Sequence, residues 1–164
     1  MAQPVKDGPP VDTRPSWLKN VQAEGTKPGT INVDGKPYMF TLVKPGLAPS
    51  LPYAVGFPDE SALFISVDVP ESHRPLIMSH EVREKTRFSK LPEDERCKAS
   101  LQTELENARA ALPDGYTEYV NSRRSFFDAL VSFYGQPDQQ TAVTDQFRQA
   151  IGASRDYLHS SSIT

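Results

Sequence analysis

One cysteine, Cys97, is all that the 164 residues contain, so no internal disulfide can staple the fold. No apolar run approaches the roughly 18 residues that a membrane span requires. The opening segment MAQPVKDGPP lacks the apolar stretch of a signal peptide. From these three absences we expect a cytoplasmic protein with no membrane association. Neither sign of charge dominates: 18 Lys and Arg stand against 21 Asp and Glu, a net charge of −3. That balance argues against a nucleic-acid binder that works by neutralising phosphates. No internal repeat is present, which excludes solenoids and propellers.

Proline and glycine are scarce only after position 58, beyond which five of the 15 prolines and three of the nine glycines lie. The shift predicts loop-and-strand material first and helices second. Residues 1–20 hold four prolines and few apolar side chains and read as a flexible tail, with Trp17 and Leu18 able to dock its end. Residues 21–164 then form a single domain of the α+β class: a small, mostly antiparallel sheet from 28–69 followed by a bundle of about four helices from 75–159. Asp34-Gly35 is a favoured two-residue hairpin turn between alternating apolar runs. Pro37 makes the second strand an edge or a late starter. Further strands are expected at 53–57 and 62–69, the second (ALFISVDV) being the strongest and the one against which the first helix lies, as a possible sheet edge. Helices are expected at 75–88, from Pro92 to Pro113, over 116–134 and over 137–159, with proline, acidic first turns and glycine marking their ends. The apolar stripe of the last is Val143, Phe147, Ala150/Ile151 and Leu158.

Ionisable residues interrupt the apolar stripes of these helices. On the first, His80, Glu81 and Glu84 fall, at spacings of three and four, between the inward residues Leu76, Ile77 and Phe88. On the second, Glu104 edges the stripe Cys97, Leu101, Leu105, Ala108. On the third, Arg123 fills the gap between Val120 and Phe127. Such groups are costly to bury unless paired or bound to a metal, so a shared polar centre is expected between three helices.

Two arrangements satisfy that expectation. In one, His80 and Glu84, a helical turn apart, and Cys97 hold zinc, leaving a fourth position open. Glu81 follows the ligand His, as the base does in HExxH enzymes, and would take a proton from water activated by the ion. Glu104 would orient a ligand, and Arg123 would balance charge or bind an anionic substrate group. In the other there is no metal. Arg123 forks onto Glu84 or Glu104, His80 bonds a carboxylate, and the centre is a structural ion-pair network within a non-catalytic interaction module. A peptide or protein partner suits either arrangement.

The stretch VPESHRPLIMSHEVRE resembles the active-site helix of zincin-like metallopeptidases. It is also similar to small bacterial proteins with a pattern VPEEYR…HE-x-x-E and a second helix carrying H-x-x-A-L-x-x-E-L. The match runs through Val69-Pro70-Glu71, Arg74, His80-Glu81, Glu84, Cys97, Leu101, Glu104 and Leu105, about a quarter of the chain. The resemblance implies a metal-dependent hydrolase of peptide or amide bonds. There are two departures: Glu84 replaces the second His of HExxH, and Cys97 replaces the His of the second helix. Both replacements are zinc ligands.

The remaining histidines read otherwise. His73 reads as a solvated loop residue rather than an extra ligand, and His159 as a cap at a helix end. Arg83, Lys85, Arg87 and Lys90 read as the solvated side of the first long helix and its exit. The aromatic residues of the third helix read as core, with some rings free to line a pocket.

Overall fold

Asp34 and Gly35 both take positive φ, 52° and 86°, as a two-residue hairpin turn demands. In this computed structural model, which describes residues 13–45, 51–59 and 61–160, they join β1 (Gly29–Val33) to β2 (Lys36–Val43) with Val33 opposite Lys36. β4 (Leu63–Ser66) runs parallel to β2, with Phe40 beside Leu63. β3 (Val55–Gly56) pairs antiparallel to β4, so the strand order is β1-β2-β4-β3. The sheet is therefore mixed. ALFISVDV lies inside it rather than at an edge, and the edge position falls to the short β3. Pro37 costs no pairing there, because β4 meets β2 only from Phe40 onward.

Alternation divides the sheet into two faces. Leu63 and Ile65 enter the main core with the helices, whereas Phe64 packs with Leu18, Val43 and Ala62 in a small second cluster. That cluster is where the segment read as a tail ends: Ser16–Asn20 forms the short helix α1, with Leu18 fully buried and Trp17 edge-on to Phe64 at 6.0 Å. Residues 1–12 of the expected tail lie outside the described residues.

The helices follow the punctuation of the sequence. α2 (Arg74–Lys85) has a proline in its first turn. α3 (Glu93–Ala111) opens on Glu93, Asp94 and Glu95, which complement its positive end, and stops before Pro113. α4 (Tyr116–Tyr134) lies between Gly115 and Gly135. The fourth expected helix is interrupted. Pro137–Gln139 makes only a single 3-10 turn, and α5 (Asp145–Leu158) starts anew where the Thr144 hydroxyl accepts a bond from the Phe147 amide at 3.1 Å. Val143 thus falls outside the helix whose stripe it was expected to begin. α2 also ends short of Phe88, at a turn where the Phe88 amide bonds back to the Arg83 carbonyl at 2.9 Å. Among the described residues no helix is long and apolar enough to cross a membrane.

α2, which carries most of the candidate site, is fixed at both ends. Arg74 donates from Nε to the Val69 carbonyl (2.9 Å) and from Nη2 to the Val67 carbonyl (2.8 Å). At the other end Arg83 is buried and ion-pairs with Asp34 of the hairpin at 3.3 Å. Arg83 is thus not a solvated residue as expected, because the hairpin turn folds over it. Lys85 donates to the Pro58 carbonyl at 2.9 Å, tying the helix to the segment after β3.

Candidate metal centre

His80 is fully enclosed between α2, α3 and α4. Its Nε2 lies 2.7 Å from Glu84 Oε1, the partner that helical spacing predicts. The same nitrogen is 3.8 Å from Cys97 Sγ on α3. Its Nδ1 is 2.9 Å from Glu104 Oε1, an ion-pair contact whose direction falls short of a full hydrogen bond. One imidazole therefore separates two carboxylates, with a thiol beside it.

Glu104 is completely buried and closely held. Arg123 forks onto it, Nε to Oε2 at 2.7 Å and Nη2 to Oε1 at 3.0 Å, and Tyr119 donates its hydroxyl to Oε2 at 2.6 Å. The remaining reach of Arg123 goes to the Tyr53 hydroxyl, 2.9 Å from Nη1. The Tyr53 ring stacks on Phe126 with centroids 4.5 Å apart, and the guanidinium carbon lies 5.3 Å and 5.2 Å from the Phe126 and Phe127 rings. Of the expected alternatives for Arg123, the fork is onto Glu104 rather than Glu84.

The electrostatics follow from these distances. Burial opposes ionisation of Glu104, but Arg123 and then His80 overcome it and hold the carboxyl at about 2. Burial likewise disfavours a charged His80, yet Glu84, aided by contacts with Cys97 and Glu104, keeps the imidazolium well above its usual range. His80 in turn lowers Glu84 against burial. Burial pushes the Cys97 thiol up, opposed by His80. Glu81 is pushed up to about 7, first by burial and then by the neighbouring Glu84 charge.

The ligand atoms of His80, Glu84 and Cys97 all lie within 4.8 Å of one another. A tetrahedral zinc site with bonds near 2.0–2.3 Å places its donors about 3.3–3.5 Å apart. The His80–Cys97 separation of 3.8 Å is close to that, and the His80–Glu84 contact of 2.7 Å is a hydrogen bond that would have to open. The three groups fit a divalent ion after side-chain adjustments on the order of 1 Å, a scale that rotamer changes reach.

The centre opens to a cavity of about 730 Å³. His80, Glu81, Glu84 and Cys97 all line it, facing rings such as Phe127, Tyr134 and Phe147, and it extends past β3 to Trp17. Among the β3 residues, Gly56 lets the Phe64 ring approach so closely that a Cβ would meet Cζ at 2.8 Å.

Three participants escape a sequence reading. Tyr53 and Tyr119 supply hydroxyls to the Arg123–Glu104 pair. Ser154 of α5 donates to Cys97 Sγ at 3.0 Å. A signal existed for two of them: Tyr119 lies four residues before Arg123 on α4, and Ser154 stands between Ala150 and Leu158 on the inward stripe of α5. Tyr53 had none, because its partner is 70 positions away. His73, read as solvated, is buried at the start of α2 and edge-on to Tyr119 at 4.9 Å, some distance in role from any ligand set. His159 occupies the C-cap position of α5, held there by its backbone amide, while its ring reaches Asp128 at 2.9 Å rather than the helix end.

Comparison with protein-family models, with curated proteins and with solved structures finds no match.

Proposed function

We propose that this chain is a zinc-binding protein of zincin-like build that hydrolyses a peptide or amide bond. His80, Glu84 and Cys97 hold the ion, and Glu81 is the general base. The observation that carries the reading is the setting of His80. One ring nitrogen rests against a carboxylate that Arg123 anchors, while the other faces Glu84 and Cys97 at a cavity wall. A carboxylate behind a ligand imidazole fixes its tautomer and raises its basicity. Ser154, donating to the sulfur, stabilises a thiolate there. A bound zinc ion would supply Lewis acidity to a water and to the scissile carbonyl. Glu81 lines the same cavity, and its burial raises the carboxyl, which suits it to accept a proton and to pass it to the leaving amine. A cytoplasmic site, reducing enough to keep the free thiol of Cys97, completes the reading.

The competing reading is a non-catalytic interaction module with a structural ion-pair centre. It is favoured by one observation: the 2.7 Å His80–Glu84 bond and the Arg123–Glu104 fork already balance charge pairwise. Metal analysis separates the two. Protein purified without added metal is expected to carry one zinc per chain, and His80→Ala to lose it. Glu81→Gln should keep the zinc and abolish amide hydrolysis. Absence of zinc from the purified protein, together with a His80→Ala variant altered only in stability, would establish the structural reading instead.

A further inference from the structure

We propose that the substrate's amine side carries a free carboxylate, received by Arg96, so that the cavity takes an N-acyl amino acid or short peptide ending in an apolar or aromatic residue. This deepens the hydrolase reading and rests on it for the chemistry, though not for the binding of the anion. Arg96 is the fourth residue of α3, one residue before Cys97, and its side chain lines the cavity. Its Nε is buried with no hydrogen-bond partner, and none of the ion pairs among the described residues includes it. Of the other basic groups of the wall, His80 is paired with Glu84 at 2.7 Å and Lys85 is committed to the Pro58 carbonyl at 2.9 Å. Glu93, one turn earlier on α3, lines the cavity too but makes no ion pair with Arg96 among the described residues. Arg96 is thus the cation of this cavity with donors to spare.

A buried donor without an acceptor is unfavourable, and a ligand that supplies one binds more tightly for it. The planar guanidinium matches a carboxylate, which can accept two parallel bonds. Glu81, which is not among the ligands, repels an anion from its own end of the cavity, so the carboxylate end is received at Arg96 and the uncharged amide is left beside Glu81. The rest of the wall sets the side chain. Phe126, Phe127, Leu130, Tyr134, Phe147 and Ile151 offer an apolar, largely aromatic surface, and a cavity of about 730 Å³ is of the size that small organic ligands occupy. In the reaction the water hydroxyl bonds to the acyl carbon and the C–N bond breaks. The proton taken up by Glu81 ends on the amine of the released amino acid.

The test compares acid with amide. Zinc-loaded protein is given N-acetyl-phenylalanine and N-acetyl-phenylalaninamide, with release of acetate measured. Binding of the non-hydrolysable 3-phenylpropanoate is followed by calorimetry, with 3-phenylpropanamide as control, on zinc-loaded and metal-free protein. The wild type is expected to favour the acid over the amide by about 10–100-fold, the range for a hydrogen bond to a charged group. Arg96→Gln should erase that preference without changing zinc content, and Arg96→Lys should restore part of it. Equal handling of acid and amide by wild-type protein, or a preference that survives in Arg96→Gln, overturns the proposal. Failure to bind zinc defeats the hydrolase reading alone. In that case the binding of 3-phenylpropanoate by metal-free protein, and its dependence on Arg96, still decide whether Arg96 is an anion receptor.

Discussion

Replacing Glu104 with glutamine probes the centre at its most buried point. Three donors converge on this carboxylate, Arg123 Nε at 2.7 Å and Nη2 at 3.0 Å and the Tyr119 hydroxyl at 2.6 Å, with His80 Nδ1 beside it in an ion-pair contact at 2.9 Å. Glutamine keeps the shape but offers one acceptor oxygen in place of two. Whichever way its amide turns, an NH2 group faces an Arg123 nitrogen, and the guanidinium loses its countercharge. Breaking one partner of a buried pair costs about 3–5 kcal/mol. At about 2–4 °C per kcal/mol for a chain of this length, Glu104→Gln should lower Tm by about 6–20 °C. Adding Arg123→Met removes the stranded charge. The double variant should then lose clearly less than the two single losses combined, since an ion pair exchanged for neutral groups is often near neutral in stability. The Tyr53 hydroxyl loses its donor in that variant, which leaves a residual cost of about 1–3 kcal/mol, while the glutamine oxygen can still accept from Tyr119. Urea unfolding of the wild type, both single variants and the double variant at pH 7 measures the coupling, expected to exceed about 2 kcal/mol. A Glu104→Gln loss below about 1 kcal/mol, or strictly additive losses, would refute the reading of Glu104 and Arg123 as a mutually dependent buried pair.

Three further outcomes follow from other parts of the structure. Thr144→Ala removes the cap of α5, whose hydroxyl accepts from the Phe147 amide, and should cost about 0.5–2 kcal/mol by urea unfolding, against no change if the cap is idle. Burial lowers the pKa of His73 from 6.5, partly offset by Glu118, so the fold prefers the neutral ring packed on Tyr119. Its contribution is therefore complete above 6.5 and is lost as pH falls below that value. His73→Leu should accordingly lose less stability than the wild type between pH 7.5 and 5.5, and parallel pH profiles would count against it. Ser154→Ala takes away the donor to Cys97 Sγ and should weaken zinc about 10–100-fold in a chelator competition while altering stability little; unchanged competition would show that the hydroxyl does not support a thiolate.

The legible parts of the fold are those decided locally. Pro92, Pro113, Gly115 and Gly135 bound α3 and α4 within a residue or two of where they were expected, because backbone chemistry at a helix end depends on neighbours a few positions away. The same logic applied to Pro137 fails, since a proline can open a single 3-10 turn as readily as a helix, and the decisive cap, Thr144, lies seven residues on. The strands are visible in their alternation, but the parallel pairing of β2 with β4 is not. That pairing depends on how the connection between them crosses the sheet, which no window of alternating residues records.

The site divides along the same line. A charged residue at an apolar stripe position is a local fact, and it marks His80, Glu81, Glu84, Glu104 and Arg123 without reference to any partner. Which group answers each of them is a fact of the tertiary fold. Tyr53 reaches Arg123 across 70 positions, and Asp34 covers Arg83 across 49. His73 and Arg83 look solvated because their burial is imposed by Tyr119 and the hairpin, which their own helix pattern does not contain. Arg96 inverts the problem. Nothing in its local sequence singles it out, and only the packed structure reveals a guanidinium on a cavity wall whose Nε has no acceptor. A polar residue misplaced in a stripe thus announces a centre from the sequence, whereas a donor left without an acceptor on a cavity wall becomes visible only after every internal partner has been assigned.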